Sequence, residues 1–352
     1  MNDPLALARP EIRALRAYDP EAGAGALERL HANELPWPPW AGDEASGLHR
    51  YPEPQPRELL ALVAGLHGVE PGQALLCRGS DEAIDLVVRG FCAAGRDTVV
   101  TCPPTFGMYA LAARIQGAAV HEVPLRRAQG FALDLEATCA AARGGAKVVF
   151  LCTPNNPTGN AHPDADLAAV LEAAAGRAMV VVDEAYMEFT GRTGCAGWIG
   201  QHPHLLVLRT LSKAYGLAGA RIGALLGARP VVDLLRKVIP PYALARPAVE
   251  AAVRALQPAG LATVRERVQR LAAERERLAA ALGALPCVRH VWPGCANFLL
   301  VEVRDADAAV QALARAGLRV RAFRDDPWLG HALRITVGTP GQGDRVLEAL
   351  RT

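Results

Sequence analysis

The chain has 352 residues, 51% of them hydrophobic and 21% charged, with 38 Lys and Arg against 36 Asp and Glu. That length suggests about two domains and ample apolar material for a core. A net charge of +2 spread along the chain lacks the basic stripe that nucleic acid requires and the polybasic cluster that anionic membranes attract, so neither partner is expected. Eight cysteines without a Cys-x-x-Cys pair, scattered through apolar runs, read as reduced thiols, with neither a disulfide frame nor a metal site. The opening stretch MNDPLALARPEIRAL carries acids and prolines and no apolar run of signal length, and no stretch approaches the ~20 apolar residues of a membrane span. Cytoplasm is the expected compartment.

In chain order, residues 1–30 read as an arm, and the prolines of Pro36-Trp37-Pro38-Pro39-Trp40 forbid helix and central strand just beyond it. Residues 31–244 read as a large domain. There the pattern predicts helices at 81–93, 105–116 and 164–175, alternating with strands at 98–101, 147–152, 178–183, 205–210 and 222–227. Continuous apolar strands alternating with amphipathic helices predict an α/β, doubly wound, mostly parallel sheet. Residues 245–352 read as a smaller α+β domain. It opens with the charged helix VRERVQRLAAERERLAAAL, whose Val and Leu recur at helical spacing, and continues with a strand at 297–303, a helix at 306–316, a strand at 333–337 and a last helix to about 350. His202-Pro203-His204 has metal-like spacing without a third ligand nearby and is expected in a polar surface turn.

Four segments fall where sheet strands end, the place where open sheets bind ligands. Gly79-Ser80-Asp81 opens a helix and offers free N–H groups to an anion, although Ser-Asp is also an ordinary N-cap. Asn156 lies in the turn Asn155-Asn156-Pro157-Thr158-Gly159 after an apolar strand. Asp183 ends the run AMVVVD, with Tyr186 three residues on, and a carboxylate there needs a cationic partner. Lys213, flanked by Thr210 and Ser212 and followed by Arg221, is a candidate nucleophilic amine. Together they match the needs of pyridoxal phosphate: a lysine for a Schiff base, an acid beside the ring nitrogen and an anchor for phosphate.

The segments NNPTG, VVDEAY and TLSKAYGLAGAR closely resemble those of fold-type I pyridoxal-phosphate aminotransferases. HANE, RYPEPQP, CPPTFGMY, KVIPPY, ANFLLVEV and LRITVGT extend the likeness along nearly the whole chain, nearest to the histidinol-phosphate aminotransferase branch. The resemblance implies a ping-pong transaminase of histidine biosynthesis, exchanging an amino group between histidinol phosphate and 2-oxoglutarate, in a homodimer with shared active sites. It assigns the cofactor phosphate to Gly79, Ser80, Asp81, Thr210, Ser212 and Arg221, with Tyr51 reaching it from the other subunit. Phe106 stacks on the ring, where the family often has Tyr, and so offers stacking alone. Asn156 and Tyr186 hold the phenolic oxygen, Asp183 the ring nitrogen, and Lys213 the covalent link. For substrate it implies Arg334 and Arg321 as anion ligands and Tyr18 and Asn33 as pocket residues. A related aromatic aminotransferase, a phosphothreonine decarboxylase and a non-catalytic cofactor-binding protein remain open alternatives.

Overall fold

The computed structural model describes residues 3–18 and 28–351; part of the expected arm lies outside them. Seven strands, β1 (Ala74–Cys77), β2 (Thr98–Thr101), β3 (Ala119–Glu122), β4 (Ala146–Cys152), β5 (Met179–Asp183), β6 (Leu205–Thr210) and β7 (Gly223–Gly227), form one sheet in the order β1-β7-β6-β5-β4-β2-β3. The pairs within β3-β2-β4-β5-β6 are parallel, and β7 runs antiparallel to both of its neighbours. An α-helix lies in the crossovers between the other parallel neighbours and two short 3-10 turns in that between β5 and β6, but β6 and β7 are joined by the loop of the lysine segment, with Leu211 N–H donating to Ile222 O at 3.0 Å, so β7 returns antiparallel.

The central strands are apolar throughout because both of their faces are covered. Val180 and Val182 of β5 belong to one core cluster, and Met179 and Val181 to another on the opposite face. On one face lie α3 (Gly79–Phe91), α4 (Met108–Gln116) and α7 (Arg229–Leu235), and on the other α2 (Arg57–His67), α5 (Leu135–Arg143), α6 (Asp164–Ala174) and α8 (Arg246–Ala255). The short α1 (Pro10–Ala14) follows a turn whose Leu7 and Ala8 are buried against the first group, with Arg9 N–H donating to Gly90 O at 3.1 Å.

The remainder builds a second, antiparallel sheet, β10-β11-β9-β8, from β8 (Val288–Trp292), β9 (Phe298–Val303), β10 (Arg321–Ala322) and β11 (Ala332–Thr336). It packs with α9 (Pro258–Gly283), α10 (Ala306–Arg315) and α11 (Pro340–Arg351) around a core of its own. In α9, Glu274 departs from the expected solvated face: it is buried and accepts from the Arg277 guanidinium at 2.8 Å.

The strands β1 and β3 have no readable pattern in the sequence: β1 reads Ala-Leu-Leu-Cys, without a β-branched residue, and β3 is an exposed edge containing His121 and Glu122, whereas the equally short β2, Thr-Val-Val-Thr, falls where it is expected. One expectation is corrected. The segment is a turn, as expected, with His202 half-buried, but His204 is buried and its ring nitrogen Nε2 sits 2.9 Å from Leu171 O. All eight cysteines are free, six of them buried, and no helix among the described residues is long and apolar enough to cross a membrane.

Candidate active site

At the carboxyl edge of the seven-stranded sheet a cavity of about 180 Å³ is lined by residues from six different loops and strands. One end is an anion cup. The residue before α3, Arg78, makes no side-chain cap, and its own backbone N–H and guanidinium are taken by Glu82 at 2.6–2.9 Å. Ser80 and Asp81 therefore lie within the first turn, and the positive end of α3 opens on the cavity. Gly79 has φ +75°, and a Cβ there would stand 2.8 Å from the Arg221 guanidinium. Arg221 is itself left-handed (φ 55°), a strained state for a non-glycine, and its guanidinium donates to Asp81 Oδ2 at 3.1 Å and Ser212 Oγ at 3.4 Å. Thr210 Oγ1 accepts from Ser212 N–H at 3.1 Å, fixing the turn that carries Lys213.

The middle of the cavity holds Phe106, Asn156, Asp183, Tyr186 and Lys213. Asp183 is 2% exposed; Oδ2 accepts from the Tyr109 hydroxyl at 2.7 Å and Oδ1 from Ala185 N–H at 3.1 Å. Burial pushes its carboxyl up to about 6, against these two hydrogen bonds. Burial likewise pulls the Lys213 amine below its ordinary value, helped by Arg334 and opposed by Asp81. Its Nζ lies 5.7 Å from the centre of the Tyr186 ring, which packs edge-on against Phe298 at 5.2 Å. Tyr186 is raised above the usual phenol range by burial.

The far end belongs to the second sheet. Arg334 on β11 reaches into the cavity, donates to Asn156 Oδ1 and stands 5.5 Å from the Phe298 ring. Arg321 on β10 is its direct cross-strand partner. Two like charges opposite one another are unfavourable without an anion between or beside them. Burial, and then the charge of Arg321 against the neighbouring Tyr186, sets the Arg334 guanidinium below its ordinary value. A larger groove of about 790 Å³ between α5 and α6, with Arg143, Glu172 and Arg177 on its rim, contains none of these groups.

The family model described as aminotransferase class I and II matches residues 28–350. The chain belongs to this family. Histidinol-phosphate aminotransferases of Stenotrophomonas maltophilia and Xanthomonas campestris are each 49% identical to it, covering 99% and 98% of this chain and 97% and 96% of their own lengths. Among solved structures, histidinol-phosphate aminotransferase from Sinorhizobium meliloti in complex with pyridoxal-5'-phosphate superposes with a TM-score of 0.78 at 27% identity, covering 97% of this chain and 96% of that one.

The aminotransferase residues expected from the sequence fall into two groups. Ser80, Asp81, Phe106, Asn156, Asp183, Tyr186, Thr210, Ser212, Lys213, Arg221 and Arg334 all line the one cavity, with Gly79 packed beneath Arg221. Tyr51, Tyr18, Asn33 and Arg321 do not line it. Tyr51 is stacked on Tyr242 at 4.4 Å and half exposed, Tyr18 is exposed, and Asn33 is exposed with φ 56°. Sequence reasoning missed Tyr109 and Cys152, which sit beside Asp183. Nothing in the sequence singles out Tyr109, an aromatic residue inside α4; Cys152 ends β4 in register with Asp183.

A pyridoxal phosphate fits this donor set. The cup offers a helix terminus, hydroxyls and an arginine to a phosphate, and Arg221 can approach the helix start this closely only because Gly79 has no Cβ. The buried carboxylate of Asp183 and the partly buried amine of Lys213, each displaced from its ordinary pKa, suit a protonated ring nitrogen and a carbonyl carbon.

Proposed function

We propose that this chain is a histidinol-phosphate aminotransferase: with pyridoxal phosphate bound, it transfers the amino group of L-histidinol phosphate to 2-oxoglutarate, giving imidazole acetol phosphate and L-glutamate in histidine biosynthesis. The observation that carries this is the single cavity joining an anion cup, the Asp183–Lys213 pair and a buried arginine from the second sheet. The 49% identity of relatives bearing that name, over nearly their full length, supports the choice of substrate.

Bound pyridoxal phosphate supplies an electron sink for the pair released when the substrate's C–H bond breaks. Asp183, ionised, holds the proton on the ring nitrogen. Asn156 and Tyr186 hold the phenolic oxygen, and Phe106 covers the ring face. Lys213 would hold the cofactor covalently, and its amine, with a lowered proton affinity, would serve as the base that takes the proton from the substrate carbon and gives it back.

Histidinol phosphate presents a phosphate where glutamate presents carboxylates, so one anion site serves both in turn. Arg334 is placed for it, with its planar fork lining the cavity and Asn156 fixing one edge. Arg321 stands opposite on β10 as the second ligand, and Tyr18 and Asn33 are assigned to the substrate pocket by the family resemblance. The proposed active unit is a homodimer in the cytoplasm, with Tyr51 completing the phosphate cup of the partner subunit. The test is to supply L-histidinol phosphate with 2-oxoglutarate and follow glutamate. Carbon dioxide release from a phosphorylated amino acid without glutamate would instead assign a decarboxylase, and cofactor binding without turnover a non-catalytic protein.

A further inference from the structure

Tyr109 belongs to none of the motifs that point to the site, yet it heads the large side chains that are fully buried, at 0% exposure. A phenol removed from water has to place its hydroxyl. Here the hydroxyl donates to Asp183 Oδ2 at 2.7 Å. Its ring is fixed on two sides, parallel to Phe150 at 4.8 Å and edge-on to Phe106 at 5.7 Å. One side chain therefore touches both the carboxylate set at the cofactor's ring nitrogen and the aromatic ring set over its face.

We propose that Tyr109 is a positioning residue for the reaction, aiming the Asp183 carboxylate at the ring nitrogen through its hydroxyl and bracing Phe106 through its ring. The inference rests on the reading of the cavity as a pyridoxal-phosphate site. Among the described residues Tyr109 is the one side chain that donates a hydrogen bond to Asp183; the other donor is Ala185 N–H on the opposite oxygen. Cys152 from β4, Asp81 from α3, the adjacent Glu184 and the cavity residues Lys213 and Tyr186 also face the carboxylate. Without the phenol, Asp183 Oδ2 loses its donor in a buried setting, and the ionised form loses support that burial already opposes.

Tyr109→Phe removes one oxygen and leaves both ring contacts. In the full-length apo chain, the Asp183 side-chain 13C signal, assigned by Asp183→Asn, is expected to titrate about one pH unit higher in Tyr109→Phe than in the wild type. The pyridoxal phosphate dissociation constant is expected to rise roughly ten- to a hundredfold, with kcat falling comparably and KM for histidinol phosphate within about twofold. In an Asp183→Asn background the same substitution is expected to change cofactor affinity less than about twofold, since the partner is already altered. Unchanged titration and affinity in Tyr109→Phe would overturn the proposal, as would an equal loss in the Asp183→Asn background, which would make the phenol mere packing. A wild type that binds no pyridoxal phosphate overturns the reading of the site, and the apo titration then decides the hold of Tyr109 on Asp183 alone.

Discussion

Asp183 sits in an environment that opposes its own charge, and this has a cost visible before any cofactor enters. With a folded value near 6 against about 3.8 unfolded, the native apo chain keeps a proton that the unfolded chain has lost. Its contribution to stability is therefore full below about pH 4 and lost as pH rises through 6. Asp183→Asn in the apo chain is expected to gain up to about 3 kcal/mol at pH 7.5 and little at pH 4, read by urea unfolding at both values. No gain at pH 7.5 would mean that the carboxylate is better solvated than its burial implies. Lys213→Ala is expected to abolish the visible absorption of the bound cofactor and to lower transamination about 10²–10⁴-fold or more; full turnover would show that another amine is the nucleophile. Asp183 was legible because a carboxylate that ends an apolar strand needs a partner, whereas Lys213, an ordinary surface lysine taken alone, was legible only from its company of Thr210, Ser212, Arg221 and Asp183. Tyr109 was not, because an aromatic residue inside an amphipathic helix is the ordinary content of a core.

The strands supply spacing, and β7 shows how closely they do so. Gly223 pairs with both Cys77 and Thr210, and a Cβ there would meet Gly79 C at 2.7 Å, Ser80 N at 2.8 Å and Arg209 O at 2.9 Å, all of them backbone. Gly223→Ala is expected to destabilise the chain by about 1–3 kcal/mol and to weaken cofactor binding more than tenfold, because two of the three atoms that must give way belong to the proposed phosphate cup. Equilibrium unfolding and cofactor titration of the variant check the two halves separately. Behind the same strand ends, Arg209 is 7% exposed and holds Glu184 at 2.6 Å and Glu188 at 2.7 Å. It joins β5 and β6 on the face away from the cavity, next to Asp183 and Thr210. Removing one member of a buried pair strands the others, so Arg209→Leu is expected to cost about 3–5 kcal/mol in urea unfolding. Long apolar strands with turn residues at their ends made this part of the sheet readable. The antiparallel return of β7 was not readable, since its run GALLG looks like any buried strand and its direction depends on the loop before it.

At the scale of the whole molecule the proposed active unit is a dimer in which each chain's Tyr51 completes the cavity of the other. Tyr51, expected at the cofactor phosphate, instead stacks on Tyr242, and the neighbouring segment leaves Leu30, Leu35, Trp37, Trp40 and Leu48 exposed. Apolar surface of this density along about twenty residues is what a partner subunit covers. In the proposed dimer the role of Tyr51 lies in a second copy, so periodicity and charge along the chain did not point to it and the family resemblance alone did. The proposed sharing has a direct test by complementation. Tyr51→Phe lowers cofactor affinity and activity in its own homodimer, and Lys213→Ala is inactive in its own. Unfolded, mixed in equal amounts and refolded, about half of the dimers carry one subunit of each kind. If Tyr51 serves the opposite site, each mixed dimer holds one site with both native residues, and about a quarter of all sites regain wild-type cofactor affinity and turnover. If Tyr51 serves its own chain, no site has both residues, and the mixture shows only the activity of the Tyr51→Phe subunits.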